Sequence, residues 1–457
     1  MYKTVVIIDG KVRNKKCLRI MGEEVLVLGL FNRNKVEECQ EINGKDIEVN
    51  IVSEHNGTLL NKEGYHKGIE FGDKKKESIW NKEIKLTDFK FKRASNGGTG
   101  NKKEKISKPK SVRLMALDIG SSEIKIVEGQ VKNGKIKVYN MEKIKSPKDI
   151  IEDGNIYNED AVSFRIKEFM SKSNVKAKNV AIVSSSSTII SRELVVPYVE
   201  NHEELRNLVH YEIEQFLAIN LNNYVVQFMK LEEVIVEDVR KQKLFAIIYP
   251  KNIIDSYRSL ISSLMLNPYS LDITNNSVRK FKNMAKVFNS DLIDKEESAM
   301  YLDLGSENIN LSIINGENLE FIRVMPVGGS EITRYIASAQ EVSFEEAEKI
   351  KTTQIDLGIN RIEDDLNNGV VDIIDDWLAD LNRIIQFYTN KSNGKKITHI
   401  YLHGGTSKLK GLDEYIAFRT EIDATKIITV DNIEFNKSSN TKTIEEYINA
   451  IGALIRL

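Results

Sequence analysis

Asp118 closes an apolar run, Leu114-Met115-Ala116-Leu117, and is followed by Ile119, Gly120, Ser121 and Ser122 before a second apolar stretch that contains Lys125. A strand ending in an acid and a glycine- and hydroxyl-rich turn can aim several backbone N–H groups at a phosphate, with the carboxylate facing a metal ion or water beside it. The same order of residue types returns some 185 residues later, where Met300-Tyr301-Leu302-Asp303-Leu304 leads into Gly305, Ser306 and Glu307 and then a further apolar stretch. Asp and Gly are favoured in any hairpin turn, so either turn alone says little. Their recurrence implies two similar half-molecules facing one cleft. A third turn joins them: Ile397–Leu402 reads as a buried strand that empties into His403-Gly404-Gly405-Thr406-Ser407. Paired glycines at a strand's C-terminal end let the backbone approach a flat ligand closely.

Composition narrows what chemistry these turns can serve. With 457 residues, 41% hydrophobic and 29% charged, the chain can bury large cores in roughly two to four domains. Its 66 basic and 67 acidic residues leave a formal net charge of -1, which argues against a global nucleic-acid binder. The two cysteines, Cys17 and Cys39, both lie near the start; a disulfide framework is excluded for most of the chain and a reducing compartment is expected. Six scattered histidines and no Cys-x-x-Cys pair give no metal-ligand spacing. No signal core opens the sequence and no apolar run approaches the ~18–20 residues of a membrane span. The expectation is a soluble, cytoplasmic protein.

Residues 1–90 read as a β-rich accessory module, with short strands at Val5–Ile8, Glu24–Leu30 and Asp46–Val52. Residues 91–112 read as a basic, flexible linker, rich in Gly, Ser and Lys, with contact to anionic lipid as the alternative use of its charge. From 113 the strands and helices alternate, as an α/β core requires. A helix is expected at Asp160–Ser171, a buried strand at Val180–Val183 and a serine turn at Ser184–Ser187. A compact insert, about residues 188–249, follows in the order strand, amphipathic helix (Glu200–Phe216), strand, strand. The first lobe spans 113–290 and the second 291–457. The second contains a helix opened by Ser343 with Glu346 three residues on, a long helix Asp372–Thr389, and a last helix, about 444–457, packing back on the first lobe.

Three ligand-facing turns in this order carry a resemblance. D-I-G-S-S-E-I-K is similar to the first phosphate loop of the actin/Hsp70/sugar-kinase ATPases, L-D-L-G-S-E-N to the second, and L-H-G-G-T-S to the adenosine motif. Within that superfamily the insert R-E-L-V-V-P-Y-V-E-N-H-E-E-L-R-N-L-V-H-Y-E-I-E-Q-F resembles the type IV pilus assembly PilM family. The resemblance runs from about Arg113 to Leu457. It implies a two-lobed actin/Hsp70-like fold around an ATP·Mg²⁺ cleft. It places Asp118 and Asp303 on the metal ion, and Gly120, Ser121, Ser122, Lys125, Gly305, Ser306 and Glu307 on the phosphates. Glu348 and Lys351, in A-E-x-x-K, would reach the ribose or base, and Gly404, Gly405 and Ser407 would flank the adenine. Where these ATPases orient the attacking water, this chain reads Pro268 to Asn276; Asp272 or Asn275 is the candidate, and Thr274 stands where relatives often carry Glu. ATP binding with weak or no hydrolysis is the implied activity.

The family further implies a cytoplasmic scaffold at the inner face of the cytoplasmic membrane. It would dock the short cytoplasmic segment of a PilN-like membrane protein and meet other pilus platform proteins, with room for self-association. Val195, Val196, Tyr198 and Phe216 are the expected walls of the peptide groove between the insert and the first lobe. The competing reading is a filament-forming, FtsA-like cell-division protein, whose relatives carry a C-terminal membrane helix behind a linker. The last core helix here is the final recognisable element.

Overall fold

The computed structural model describes residues 111–456, apart from 218, 295, 359–363, 393 and 437–442, together with residues 5–6, 18–20 and 23–27. The chain divides into two compact units, Met1–Glu83 and Ile84–Leu457. In the first unit, strand Glu23–Val27 pairs parallel with Val5–Val6 and antiparallel with Leu18–Ile20. The expected strand at Asp46–Val52 and the linker up to residue 110 lie outside the described residues.

The second unit begins with β1 (Arg113–Ile119), β2 (Glu123–Lys132) and β3 (Lys135–Lys145), then α1 (Glu159–Lys172) and β4 (Asn179–Ser184). The insert follows as β5 (Ile190–Pro197), α2 (His202–Phe216), β6 (Tyr224–Val236) and β7 (Val239–Pro250). The chain returns to the first lobe through α3 (Lys251–Ser263), β8 (Asn267–Ile273) and α4 (Thr274–Met284). The second lobe is β9 (Ser298–Leu304), β10 (Ile309–Asn315), β11 (Asn318–Met325), α5 (Gly329–Ala339), α6 (Phe344–Thr353), α7 (Asp365–Lys391), β12 (His399–His403), α8 (Leu412–Thr420) and β13 (Asp423–Lys426). Strand β14 (Ile433–Phe435) rejoins the first lobe, and α9 (Ile448–Ala453) ends the described elements.

The repeat of turns is a repeat of topology. The first sheet runs β8-β4-β1-β2-β3-β14 and the second β13-β12-β9-β10-β11. In each, an antiparallel three-strand meander is extended by two parallel strands on the side of its first strand. The first strands sit inside their sheets with both faces covered, and so read as unbroken apolar runs rather than alternating ones. Leu114–Leu117 and all seven residues of β9 are buried accordingly.

Helix α9 packs on α4 and against β1, β2 and β4. Ile448 and Ile451 lie in one apolar core with Leu114 and Ala116 of the first sheet and Ala299 and Tyr301 of the second. The two lobes are thus joined by a continuous core. The insert sheet, ordered β5-β7-β6, holds its own core with Leu205, Val209 and Ile213 of α2. Asn201 caps α2 by accepting from Glu203 N at 2.8 Å, which starts the helix two residues after the expected Glu200. The long helix starts seven residues before the expected Asp372, capped by Asp364. Asn367-Asn368-Gly369 resembles a loop, yet Gly369 is a packing site: a Cβ there would lie 1.9 Å from Tyr335 Oη.

Candidate nucleotide cleft

Topological equivalence puts the two aspartates at matching strand ends, and one side chain joins them. Asn449 Nδ2 donates to Asp118 Oδ2 at 3.2 Å and to Asp303 Oδ2 at 2.9 Å. Lys125 stands opposite Asp118 across the β1–β2 pair, and its Nζ lies 3.8 Å from where a Gly120 Cβ would be. Burial lifts the Asp118 carboxyl to about 6, against the pull of Lys125 and with a further push from the Asp303 charge. Asp303 also accepts from Asn310 Nδ2 at 3.3 Å. Its other oxygen lies 3.7 Å from His403 Nδ1. Burial holds the His403 imidazole below its ordinary range, so this neighbour is neutral at pH 7. His403 Nε2 and Asn449 Oδ1 are buried without a hydrogen-bond partner.

The two glycine turns are built alike. Gly120 N donates to Glu123 O at 3.2 Å and Gly305 N to Asn308 O at 3.0 Å. A Cβ would come within 3.0 Å of the first acceptor and 2.6 Å of the second, so only glycine fits either position without a shift. Behind the second turn, Gly329 N donates to Gly305 O at 3.0 Å, Ser330 N to Ser306 O at 2.9 Å, and Thr406 Oγ1 to Gly305 O at 2.9 Å. Gly404, with φ 91° and ψ 173°, donates its N–H to Glu445 O at 2.8 Å. Glu446 spans the lobes: its carboxylate takes Lys143 Nζ of β3 at 2.8 Å and Lys408 Nζ from the turn after β12.

Not every expected residue faces this cleft. Ser407 is buried and its Oγ donates to Gly404 O at 2.7 Å, so it fastens the turn instead of flanking a base. The Glu307 side chain is exposed and lies 3.8 Å from Arg334, leaving its backbone as the part that lines the turn. Lys351 is buried, with Nζ donating to Gly329 O at 3.1 Å, Thr333 Oγ1 at 2.9 Å and Glu348 Oε2 at 2.7 Å. That ammonium has an acceptor for each of its three protons and braces the N-terminus of α5, while half-exposed Glu348 keeps one edge toward solvent. Lys351→Met is expected to cost about 1–3 kcal/mol, read as a lower thermal midpoint, because the Gly329 carbonyl loses a charged donor.

The water-orienting candidates need correction. Asp272 pairs with Lys280 Nζ at 2.7 Å and accepts from Asn276 Nδ2 at 2.8 Å. Asn275 is buried and donates to Leu311 O at 3.0 Å and Ser312 Oγ at 2.9 Å, tying α4 to β10. Both side chains serve the scaffold. Asp272 and Lys280 instead border a cavity of about 410 Å³ between the insert and the first lobe, with Gln227, Met229, Tyr269 and Arg279 among its walls.

The expected groove walls also change. Val196 is fully buried in the insert core. Val195 and Phe216 are exposed, Phe216 lying under the Arg192 guanidinium at 4.2 Å, and Tyr198 stacks with Arg240 at 3.6 Å. None of the four borders the cavity. Strand alternation sends Val195 and Val196 to opposite faces of β5: Val196 faces the insert core, whereas Val195, opposite Lys243, shares the face of Phe245 but lies outside the cavity wall. Asn449 and Glu446 belong to the site without any motif that marks them in the sequence, and His403, though inside L-H-G-G-T-S, is not among the expected site residues. Their signal is position: one follows an expected strand directly, and two sit at the start of the last helix.

Among the described residues no three His, Cys, Asp or Glu side chains gather as a metal site. The two carboxylates and the glycine turns do fit a magnesium nucleotide, since Mg²⁺ takes one or two carboxylates and completes its shell with phosphate oxygens and water. The buried Asn449 Oδ1 and His403 Nε2, both without a partner, are further polar atoms at the same place.

The sequence profile of a family described as type IV pilus assembly protein PilM matches residues 116–456. A solved PilM-PilN type IV pilus biogenesis complex superimposes with a TM-score of 0.65 and 19% identity, covering 75% of this chain and 98% of that one. The ethanolamine utilization protein EutJ from Carboxydothermus hydrogenoformans gives a TM-score of 0.43 with 11% identity, covering 76% and 90%. The cell division protein FtsA of Streptococcus pneumoniae serotype 2 (strain D39) is 21% identical over 256 residues, which is 51% of this chain and 54% of that protein. The chain therefore spans about half the length of that curated relative.

Proposed function

The chain belongs to the type IV pilus assembly protein PilM family, and from that premise we propose that it is an ATP·Mg²⁺-binding scaffold of a pilus assembly platform. One observation carries the nucleotide part of this reading: Asp118 and Asp303, from equivalent strands of two like-folded lobes, meet the same amide at 3.2 and 2.9 Å. A bound Mg²⁺ would supply a divalent charge that neutralises the two carboxylates and the phosphates together. The Gly120–Ser122 and Gly305–Glu307 turns would then offer backbone N–H groups to the phosphates, Lys125 a charge, and the Gly404-Gly405 turn a flat face to the base. Asp272 and Asn275 are engaged elsewhere, which supports binding with weak or no hydrolysis, because transfer to water needs an oriented water.

The partner would be the cytoplasmic segment of a PilN-like membrane protein. The solved relative is a PilM-PilN complex, and the 410 Å³ cavity between the insert and the first lobe is the place we assign to such a peptide here. Strand β8 ends its sheet and β6 ends the insert sheet, so both offer edges along the cavity to an extended chain. No helix among the described residues is long and apolar enough to cross a membrane, and the reading puts the protein at the membrane's inner face through this partner.

Nucleotide would hold the lobes together and so bias the cavity, a population shift that requires different affinities in the two states. Titration with a synthetic peptide of the partner's cytoplasmic N-terminal segment is expected to show about fivefold or tighter binding with ATP·Mg²⁺ than without. Equal affinity with ATP, with ADP and with neither would sink the coupling. Arg279→Glu should weaken the peptide strongly, while Val195→Ala should leave it unchanged. ATP-dependent pelleting with no peptide binding would favour the FtsA-like filament reading instead.

A further inference from the structure

The amide of Asn449 is half satisfied. Its Nδ2 serves two carboxylates, and only that orientation can, because Oδ1 has no proton to donate. The price is a buried carbonyl oxygen with no partner, which carries the desolvation penalty of an unpaired polar atom. A divalent cation between the carboxylates would reverse the preference. An N–H dipole aimed at that position repels the ion, whereas a carbonyl oxygen is an ordinary ligand for it.

We propose that Asn449 is a cation-responsive amide that turns over when the cleft is loaded, exchanging its Nδ2 donation for an Oδ1 contact to the metal ion or to one of its waters. This deepens the nucleotide reading and rests on it. No covalent bond changes; the side chain rotates, and the two aspartate oxygens pass from amide protons to the cation.

The position of Asn449 gives the turnover a route outward. Its own carbonyl accepts from Ser277 Oγ of α4 at 2.7 Å, and a Cβ at Gly452 would lie 2.2 Å from Ser277 O, so α9 and α4 are in close contact. Further along the same pair, Lys280 Nζ donates to Ile455 O at 2.9 Å, and Lys280 and Ile455 both border the cavity. The backbone that carries Asn449 is therefore tied by two hydrogen bonds to α4, whose Lys280 borders the cavity.

The test uses the full chain, with Mn²⁺ as a paramagnetic probe and ATP present, bound ion being read as loss of the free Mn²⁺ signal. Asn449→Leu removes both amide atoms at similar volume and is expected to weaken Mn²⁺ retention roughly tenfold or more. Asn449→Asp supplies oxygen only. It should lower the thermal midpoint in chelator, where three carboxylates face one another, recover it with Mn²⁺·ATP, and bind Mn²⁺ tighter than the wild type. Should Asn449→Leu not fold, the Asp variant alone decides. Wild-type retention in both variants, or an Asp variant with an unchanged midpoint in chelator, overturns the role of Asn449. A wild-type protein that retains no Mn²⁺ with ATP overturns the nucleotide site itself, and this inference with it.

Discussion

Asp118→Asn is expected to make the metal-free protein more stable at pH 7 while abolishing its retention of ATP·Mg²⁺. The two effects have one origin. Burial and the neighbouring Asp303 charge lift the Asp118 carboxyl from the ordinary 3.8 to about 6, so the folded protein holds this group ionised at pH 7 against a penalty. A tenfold change in proton affinity is worth about 1.36 kcal/mol, which puts the relief from a neutral isostere on the order of 3 kcal/mol at most. The sign follows from linkage. A carboxyl whose folded value lies above its unfolded one binds its proton more tightly when folded, so wild-type stability is penalised above about 6 and the penalty fades as pH falls from there toward 3.8. The advantage of the variant should shrink over that same window. Thermal melts in chelator from about pH 4 to about pH 7.5, paired with equilibrium dialysis of ATP·Mg²⁺, read both. A variant less stable than the wild type at pH 7 would show that the carboxylate is held there by favourable contacts instead.

Gly404→Ala should damage the second lobe severely, through backbone strain and a clash at the carboxylate together. The φ, ψ pair of Gly404 lies in a region open essentially to glycine alone, and leaving glycine there costs about 1–3 kcal/mol. Space adds to strain: the new Cβ would stand 2.6 Å from Asp303 Oδ1, 2.7 Å from Leu304 O and 2.8 Å from Leu304 N. The carboxylate or the end of β9 must move, at a further cost of about 1–3 kcal/mol. Nucleotide retention is expected to disappear along with several degrees of thermal stability. Gly394→Ala is the control. Gly394 has a φ of +86° with nothing within 4 Å of its Cβ position, so it carries the backbone strain without the steric clash. Equal losses at the two glycines would refute the clash at Asp303.

Legible in the sequence is whatever the chain states locally. An acid at a strand end followed by Gly and Ser is a local statement, and its repetition points to two lobes before any contact is known. The insert is legible for the same reason, since its helix has a local cap and helical spacing at Leu205, Val209 and Ile213. What pairs across the chain is hidden. Asn449 lies 331 residues from the aspartate it serves, and no periodicity marks an amide whose partners are both distant. Asp272 looks available in the sequence because its cation, Lys280, sits a helical turn or two into the next element, and only the strand-to-helix corner at Ile273–Thr274 brings them to 2.7 Å. Val195 and Val196 both read as groove walls because a sequence carries the alternation of a strand but not which of its faces is turned where.

Strand β7 has both faces occupied. Leu244, Ala246 and Ile248 belong to the insert core, whereas Phe245 and Tyr249 lie in the cores of the main body and border the cavity. A strand addressed on both sides tolerates no odd change of length, because a slip of one residue exchanges the two sets of side chains. Lineages carrying this insert should therefore gain or lose residues at the Glu237-Asp238 tip, where the backbone already turns left-handed at φ 52° and 60°, and keep the count from Leu244 to Tyr249 fixed. The tip is free to drift and diversify; the six residues below it act as a ruler that natural indels must respect.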